Sequence, residues 1–162
     1  RRFKRRRWPS RNKSRRACRG GPTIAGWAWS SRLIGRILLE MLRGLMGLII
    51  GSVAGGLGRY AVTAGFARTS LRGFWATWTV NLAGCFLMGL FHAWAEVRFR
   101  ISVEQRLLLM SGFCGAFTTF SAFALDTAGL IRSGHGIGAA AYVASSVVLG
   151  LGMFYAGAWV GR

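Results

Sequence analysis

The sequence has 162 residues, of which 52% are hydrophobic, with seven Trp and a formal net charge of +18. One domain's length with so much apolar content excludes an ordinary soluble globule and makes a membrane protein the first reading. The charge is not spread as a folded nucleic-acid-binding surface would need: residues 1–40 hold 13 Lys/Arg against Glu40, and the rest hold nine Arg against Glu96, Glu104 and Asp126.

Residues 1–43 open on RRFKRRRWPSRNKSRRACRGG, a basic run with Pro, Ser and Gly that cannot bury a core and is expected to be disordered. An anionic-lipid or nucleic-acid tail, an Arg-rich transit-type peptide, and sequence upstream of the functional protein all fit it. The last is the expectation taken here, because Met41 in MLRGLMGLII stands where a short membrane protein would start. The working domain is expected over residues 44–162.

Gly44–Ala67 predicts a first span, interrupted only by Arg59 and small polar residues. Gly47, Gly51 and Gly55 recur every fourth residue, so one face of the helix can admit a close neighbour. Arg59 either snorkels to the headgroups or serves an anion-attracting or structural role. A polar loop over 68–73 leads to a second span, Phe74–Ala95, with Trp75, Trp78 and Trp94 near its ends. Its strongest polar residue is Asn81, with Thr77 and Gly84 on the same face, and interhelical glue is the plain alternative to a functional role.

After a charged loop over 96–106, the third span, Leu107–Ile131, carries GFCGAFTTFSAF at Gly112–Phe123. Gly112 and Gly115 weaken a helix, while Thr118, Thr119 and Ser121 can take over backbone hydrogen bonds, so this span is expected to break mid-membrane. Broken backbone survives in a bilayer only where protein covers it or water reaches it, which points to an ion or substrate pathway. Ile137–Val160 predicts the fourth span, with Tyr142 and Ser146 on one face and Ser145 beside them, either in a polar path or back-bonded to the helix. Short connections predict an antiparallel four-helix bundle. With the basic extension set aside, flanking arginines favour one orientation only weakly.

The three cysteines have no metal-ligand or redox spacing, and neither nucleotide-binding glycine pattern occurs in a soluble setting. Four carboxylates, two histidines near span ends and no nucleophile elbow argue against an enzyme. Neutral donors remain: the Asn81 amide, the Ser121, Tyr142 and Ser146 hydroxyls, and the positive ring edges of Phe113, Phe117, Phe120 and Phe123. Weak donors in series suit a small hydrated anion that must bind and still leave, although an aromatic stripe alone also fits plain packing.

Three strings, GGLGRY at Gly55–Tyr60, TVNLAGCFLMG at Thr79–Gly89 and GFCGAFTTFSAF at Gly112–Phe123, occur in order in this four-span chain. Over about residues 41–162 it resembles the small bacterial fluoride channels, the CrcB or Fluc family. The resemblance implies an all-α membrane protein with four transmembrane helices, the third broken, assembled as an antiparallel dual-topology homodimer with two pores at the subunit interface. It implies a fluoride pore at Asn81, Phe120, Ser121, Phe123, Tyr142 and Ser146, and matches the family's first-span arginine to Arg59. It further implies a structural sodium ion (Na+) held by backbone carbonyls of Gly115 and Thr118 from both subunits.

Ala122, Ala116 and Gly150 depart from the threonine, glycine and hydroxyl residue common there, which bears on conduction rate more than on ion identity. Fluoride, membrane lipid and a second copy are the expected partners, nucleic acid is not, and the cell membrane is the expected location. Two rival functions have their own signatures. A proton-coupled small multidrug transporter needs a membrane glutamate, which no span has, and a nonconducting protein with a nucleic-acid-binding tail would act through residues 1–40.

Overall fold

The structure, a computed structural model, describes residues 24–69, 73–96 and 101–162, with side chains described from Leu33 onward. It divides into two compact units, Arg1–Arg36 and Ile37–Arg162. All regular structure among the described residues is helical: α1 (Ile24–Ala67), α2 (Phe74–Glu96), α3 (Val103–Arg106), a π-helical segment (Leu107–Cys114), α4 (Gly115–Phe117), α5 (Phe120–Arg132) and α6 (Gly136–Val160). Four stretches are long and apolar enough to cross a membrane, Leu33–Ala67, Phe74–Glu96, Val103–Arg132 and Gly136–Val160.

The first boundary differs from the expectation. Residues 24–43, expected within a disordered extension, are helical, and the larger unit begins at Ile37 rather than at residue 44. Between Ile24 and Arg43 the chain has Ala, Ile, Leu and Trp and no proline, so a helix nucleated downstream extends backwards at one hydrogen bond per residue fixed. Residues 1–23, which carry most of the basic run, lie outside the described residues.

Glycine sets how closely the spans approach. A Cβ at Gly51 would collide with the Leu108 carbonyl and one at Gly55 with the Phe113 carbonyl, so the expected glycine face of α1 lies directly on the third span. The approach is mutual, since a Cβ at Gly112 would come within 2.8 Å of the Leu48 carbonyl. Gly89 and Gly157 do the same for α2 and α6: a Cβ at Gly89 would strike the Phe154 carbonyl and one at Gly157 the Phe86 carbonyl.

The connections are built locally. Ser102 and Gln105 form a reciprocal capping box at the start of α3 (3.3 and 2.9 Å), the S-x-x-Q spacing placing each side chain on the other's backbone amide. At the other end of the span the His135 amide donates to the Leu130 carbonyl (2.9 Å) and the Gly134 amide to the Ile131 carbonyl (3.0 Å). Gly134 has φ of 78°, so α5 closes in a left-handed glycine cap and α6 starts two residues later.

Candidate functional site

The third span does not break at its glycines. Leu107–Cys114 stays helical in π form, and the interruption falls at Thr118 (φ −80°, ψ 158°) and Thr119 (φ −150°, ψ 114°), both extended. A helix opens inside a membrane only if its backbone groups find other partners. Glycine supplies none, whereas the Thr-Thr step and α2 do.

Asn81, 38 residues away on α2, meets Thr119 with both ends of its amide. The Thr119 N–H donates to Asn81 Oδ1 (2.8 Å), and Asn81 Nδ2 donates to the Thr119 carbonyl (3.2 Å). One turn further along α2, Gly84 leaves the space that the Thr118 methyl fills. Thr119 then caps α5, its Oγ1 accepting from the Ala122 N–H (3.2 Å), and Thr118 Oγ1 donates back to the Cys114 carbonyl (2.9 Å).

These partners change the backbone accounting. In an unbroken helix the Gly115 carbonyl would accept from the Thr119 N–H, and the Thr118 carbonyl from the Ala122 N–H. Asn81 takes the first donor and the Thr119 side chain takes the second. The Gly115 and Thr118 carbonyls therefore lose their ladder donors to named partners, within a break that also interrupts the ladder between them. Thr119, which diverts one and yields the other, was expected from the sequence as one of the hydroxyls that take over backbone hydrogen bonds, and its pairing with Asn81 is the part that was not foreseen.

Beyond the break the rings form a line. Phe120 and Phe123 have centroids 5.6 Å apart, Phe123 and Tyr142 5.2 Å, and Tyr142 and Phe74 5.5 Å with an edge-on angle of 64°. Phe120 is 80% exposed at one end of this line, while Tyr142 is 5% exposed towards the other. Tyr142 Oη and Asp126 Oδ2 are buried without a hydrogen-bond partner among the described residues. The two interact with each other just short of hydrogen-bond geometry, so the acceptor at hand for the Tyr142 hydroxyl is the Asp126 carboxylate. Beside it lies a recess of about 360 Å³ lined by residues that include Phe74, Trp78, Tyr142 and Ser145.

The hydroxyls expected alongside Tyr142 are less free. Ser146 Oγ donates to the Tyr142 carbonyl (2.7 Å), the back-bonded arrangement. Ser145 Oγ donates to the same carbonyl (3.2 Å) and accepts from Trp78 Nε1 (3.3 Å). Ser121 Oγ lies 3.2 Å from Thr119 Oγ1, so it belongs to the cap of the break as well as to the Phe120–Phe123 interval. Arg59 stands on α1, where its carbonyl accepts from Thr63 Oγ1 (3.0 Å). Among the described residues no hydrogen bond or ion pair joins its guanidinium to the ring line; Arg106 and Glu96 form an ion pair elsewhere, at 3.9 Å.

This arrangement defines a class: a multi-pass membrane protein whose polar chemistry is gathered at an interrupted helix and an adjoining aromatic line. The family model for CrcB-like protein, Camphor Resistance (CrcB), matches residues 46–158, and the chain belongs to that family. It is similar to the fluoride-specific ion channel FluC of Rhizobium etli, at 40% identity over 72% of this chain and 94% of the relative. It is likewise similar to the proteins of that name from Nitrobacter winogradskyi (38% identity; 73% of this chain, 94% of the relative) and Leptospira interrogans (38% identity; 75% of this chain, 97% of the relative). The relatives are named as ion channels, which places the chain among membrane channels and not among enzymes.

Proposed function

We propose that the protein is a fluoride-selective channel that lets cytoplasmic fluoride leave the cell passively and so confers fluoride resistance. The observation that carries the reading is the Phe120–Phe123–Tyr142 line, aromatic rings leading to a buried hydroxyl beside the Asp126 carboxylate. Ring edges and hydroxyls present partial positive charge without a full cation, so they replace hydration water around a small anion and still release it. The chain spans nearly the whole length of relatives named for fluoride.

Within this reading fluoride sheds water at the mouth of the path and passes the edges of Phe120 and Phe123. The second N–H of Asn81 and the Ser121 hydroxyl are donors near the break, and Tyr142 Oη would have to turn from the Asp126 carboxylate to meet the ion. Ser146 would have to exchange its bond to the Tyr142 carbonyl for one to the ion. Arg59 acts at a distance, by drawing anions. The strong exposure of Phe120 supports a path completed by a second copy, as in an antiparallel dual-topology homodimer, because a ring edge that guides an ion needs a covered face. The diverted ladder donors at Gly115 and Thr118 suit a structural sodium ion: carbonyl oxygens are hard ligands, and a twofold axis would bring four of them together. Sodium would supply positive charge that holds the two interrupted helices in place.

The direct test is efflux from liposomes containing the protein, with fluoride and chloride electrodes side by side. Fluoride efflux without chloride efflux is expected; equal release of both ions, or of neither from well-folded protein, would overturn the reading. Replacing all sodium with N-methylglucamine is expected to lower fluoride flux about tenfold or more, and full flux in sodium-free buffer would remove the cation from the proposal.

A further inference from the structure

Asn81 holds the long-range clamp on the break, and its amide is mostly spent there. Its oxygen accepts the Thr119 N–H and one of its two N–H groups goes to the Thr119 carbonyl. We propose that Asn81 is the positioning residue that keeps the third span open, freeing the Gly115 carbonyl by holding the Thr119 amide away from it. This rests on the channel reading above and adds to it a role distinct from contact with the ion.

The energetics favour such a latch. Without Asn81 the Thr119 N–H would be left without a partner inside the membrane, at a cost that favours its return to the carbonyl four residues back. Restoring that bond pulls Thr119 toward helical dihedrals and away from ψ of 114°. It would also occupy the Gly115 oxygen and tilt α5, with Phe120 and Phe123 on it, relative to α2. Two neighbouring features act in the same direction. Gly84 accommodates the Thr118 methyl on the same face of α2, and the Thr119 hydroxyl holds the first turn of α5 through the Ala122 amide. Asn81 matches a backbone peptide group in offering one acceptor and one donor side by side. Aspartate keeps the acceptor but turns the donor into an acceptor facing the Thr119 carbonyl.

The deciding experiment removes the donated proton while leaving Asn81 in place. In the full chain, Thr119 is replaced by its α-hydroxy acid analogue, which turns its amide N–H into an ester oxygen. The change also makes the Thr118 carbonyl an ester oxygen, a weaker ligand, so it is repeated in Asn81→Ala; if Asn81 served only the ion, the ester would cost both backgrounds the same. The latch instead requires the ester to lower fluoride flux and raise the sodium concentration for half-maximal flux about tenfold more in the native background than in Asn81→Ala, as expected for losing one buried hydrogen bond. An ester chain with native flux and native sodium dependence overturns the proposal.

Asn81→Asp gives a second reading should the ester chain not assemble. Lower flux with a shifted sodium midpoint supports the latch, and lower flux with an unshifted midpoint overturns it. The infrared band of an isotope-labelled Gly115 carbonyl keeps this inference separate from the channel reading, because it needs no ion flux. A shift to lower frequency in Asn81→Ala, as the Thr119 N–H returns to that oxygen, supports the latch even if no fluoride moves, and an unshifted band rules it out.

Discussion

Phe123→Ile is expected to lower fluoride flux about 100-fold while the protein remains folded. Phe123 is the middle ring of the line, 5.6 Å from Phe120 and 5.2 Å from Tyr142 by centroid. Isoleucine keeps an apolar side chain in that place and costs on the order of 1 kcal/mol of packing, too little to unfold a membrane bundle. What it removes is the positive edge. An anion already stripped of water then meets a methyl group with no compensating charge, a loss of about 3 kcal/mol in the barrier, which is about two orders of magnitude in rate. Efflux from liposomes and the elution profile in detergent, measured on the same preparation, separate flux from folding. Flux within about twofold of native would take Phe123 out of the path.

Gly157→Leu is expected to have the opposite profile, abolishing the folded protein rather than its selectivity. The new Cβ would run into the Phe86 carbonyl on α2, and backbone cannot turn aside as a side-chain end can. The reciprocal contact, Gly89 against the Phe154 carbonyl, ties the same two helices, so a shift that relieves one clash disturbs the other. Overpacking of this kind costs about 3 kcal/mol or more, a large part of a typical domain's stability. Gly152→Leu is the matched control, since a Cβ there meets nothing within 4 Å and leucine is the better helix former. If both variants give the same monodisperse yield and thermal midpoint, the glycine contact is not what holds α2 to α6.

Much of the architecture was legible because it rests on local pattern. Apolar runs of span length placed α2 and α6 to within one residue at each end, and the spacing of Gly47, Gly51 and Gly55 marked a close-packing face later found against Leu108 and Phe113. The break was legible within Gly112–Phe123, and Thr118 and Thr119, expected to supply replacement hydrogen bonds, are where the span opens, while Gly112 serves helix contact. Those bonds depend on Asn81, and a pairing across 38 residues leaves no trace in periodicity. The hydroxyls show the same limit: spacing put Ser146 and Tyr142 on one face, but whether a serine proton points to its own helix or outward is settled by local geometry. The start of α1 was misplaced because composition marks where a chain cannot bury a core, not where a helix already begun will stop.

The three-residue connection closed by Gly134 also bears on how the protein enters the bilayer during synthesis. Asp126 lies inside the third span, six residues from its Arg132 end, where a carboxylate costs less than the roughly 3 kcal/mol it would cost at the centre but still opposes insertion. A segment carrying that penalty is a hesitant substrate for the translocation machinery by itself. Because α6 follows at once and has no charged residue, the two can partition into lipid together as a helical hairpin, the second arm drawing in the first. Lengthening this turn with a flexible insert would uncouple the arms, so the tightness of one glycine corner helps decide how many times the nascent chain crosses the membrane.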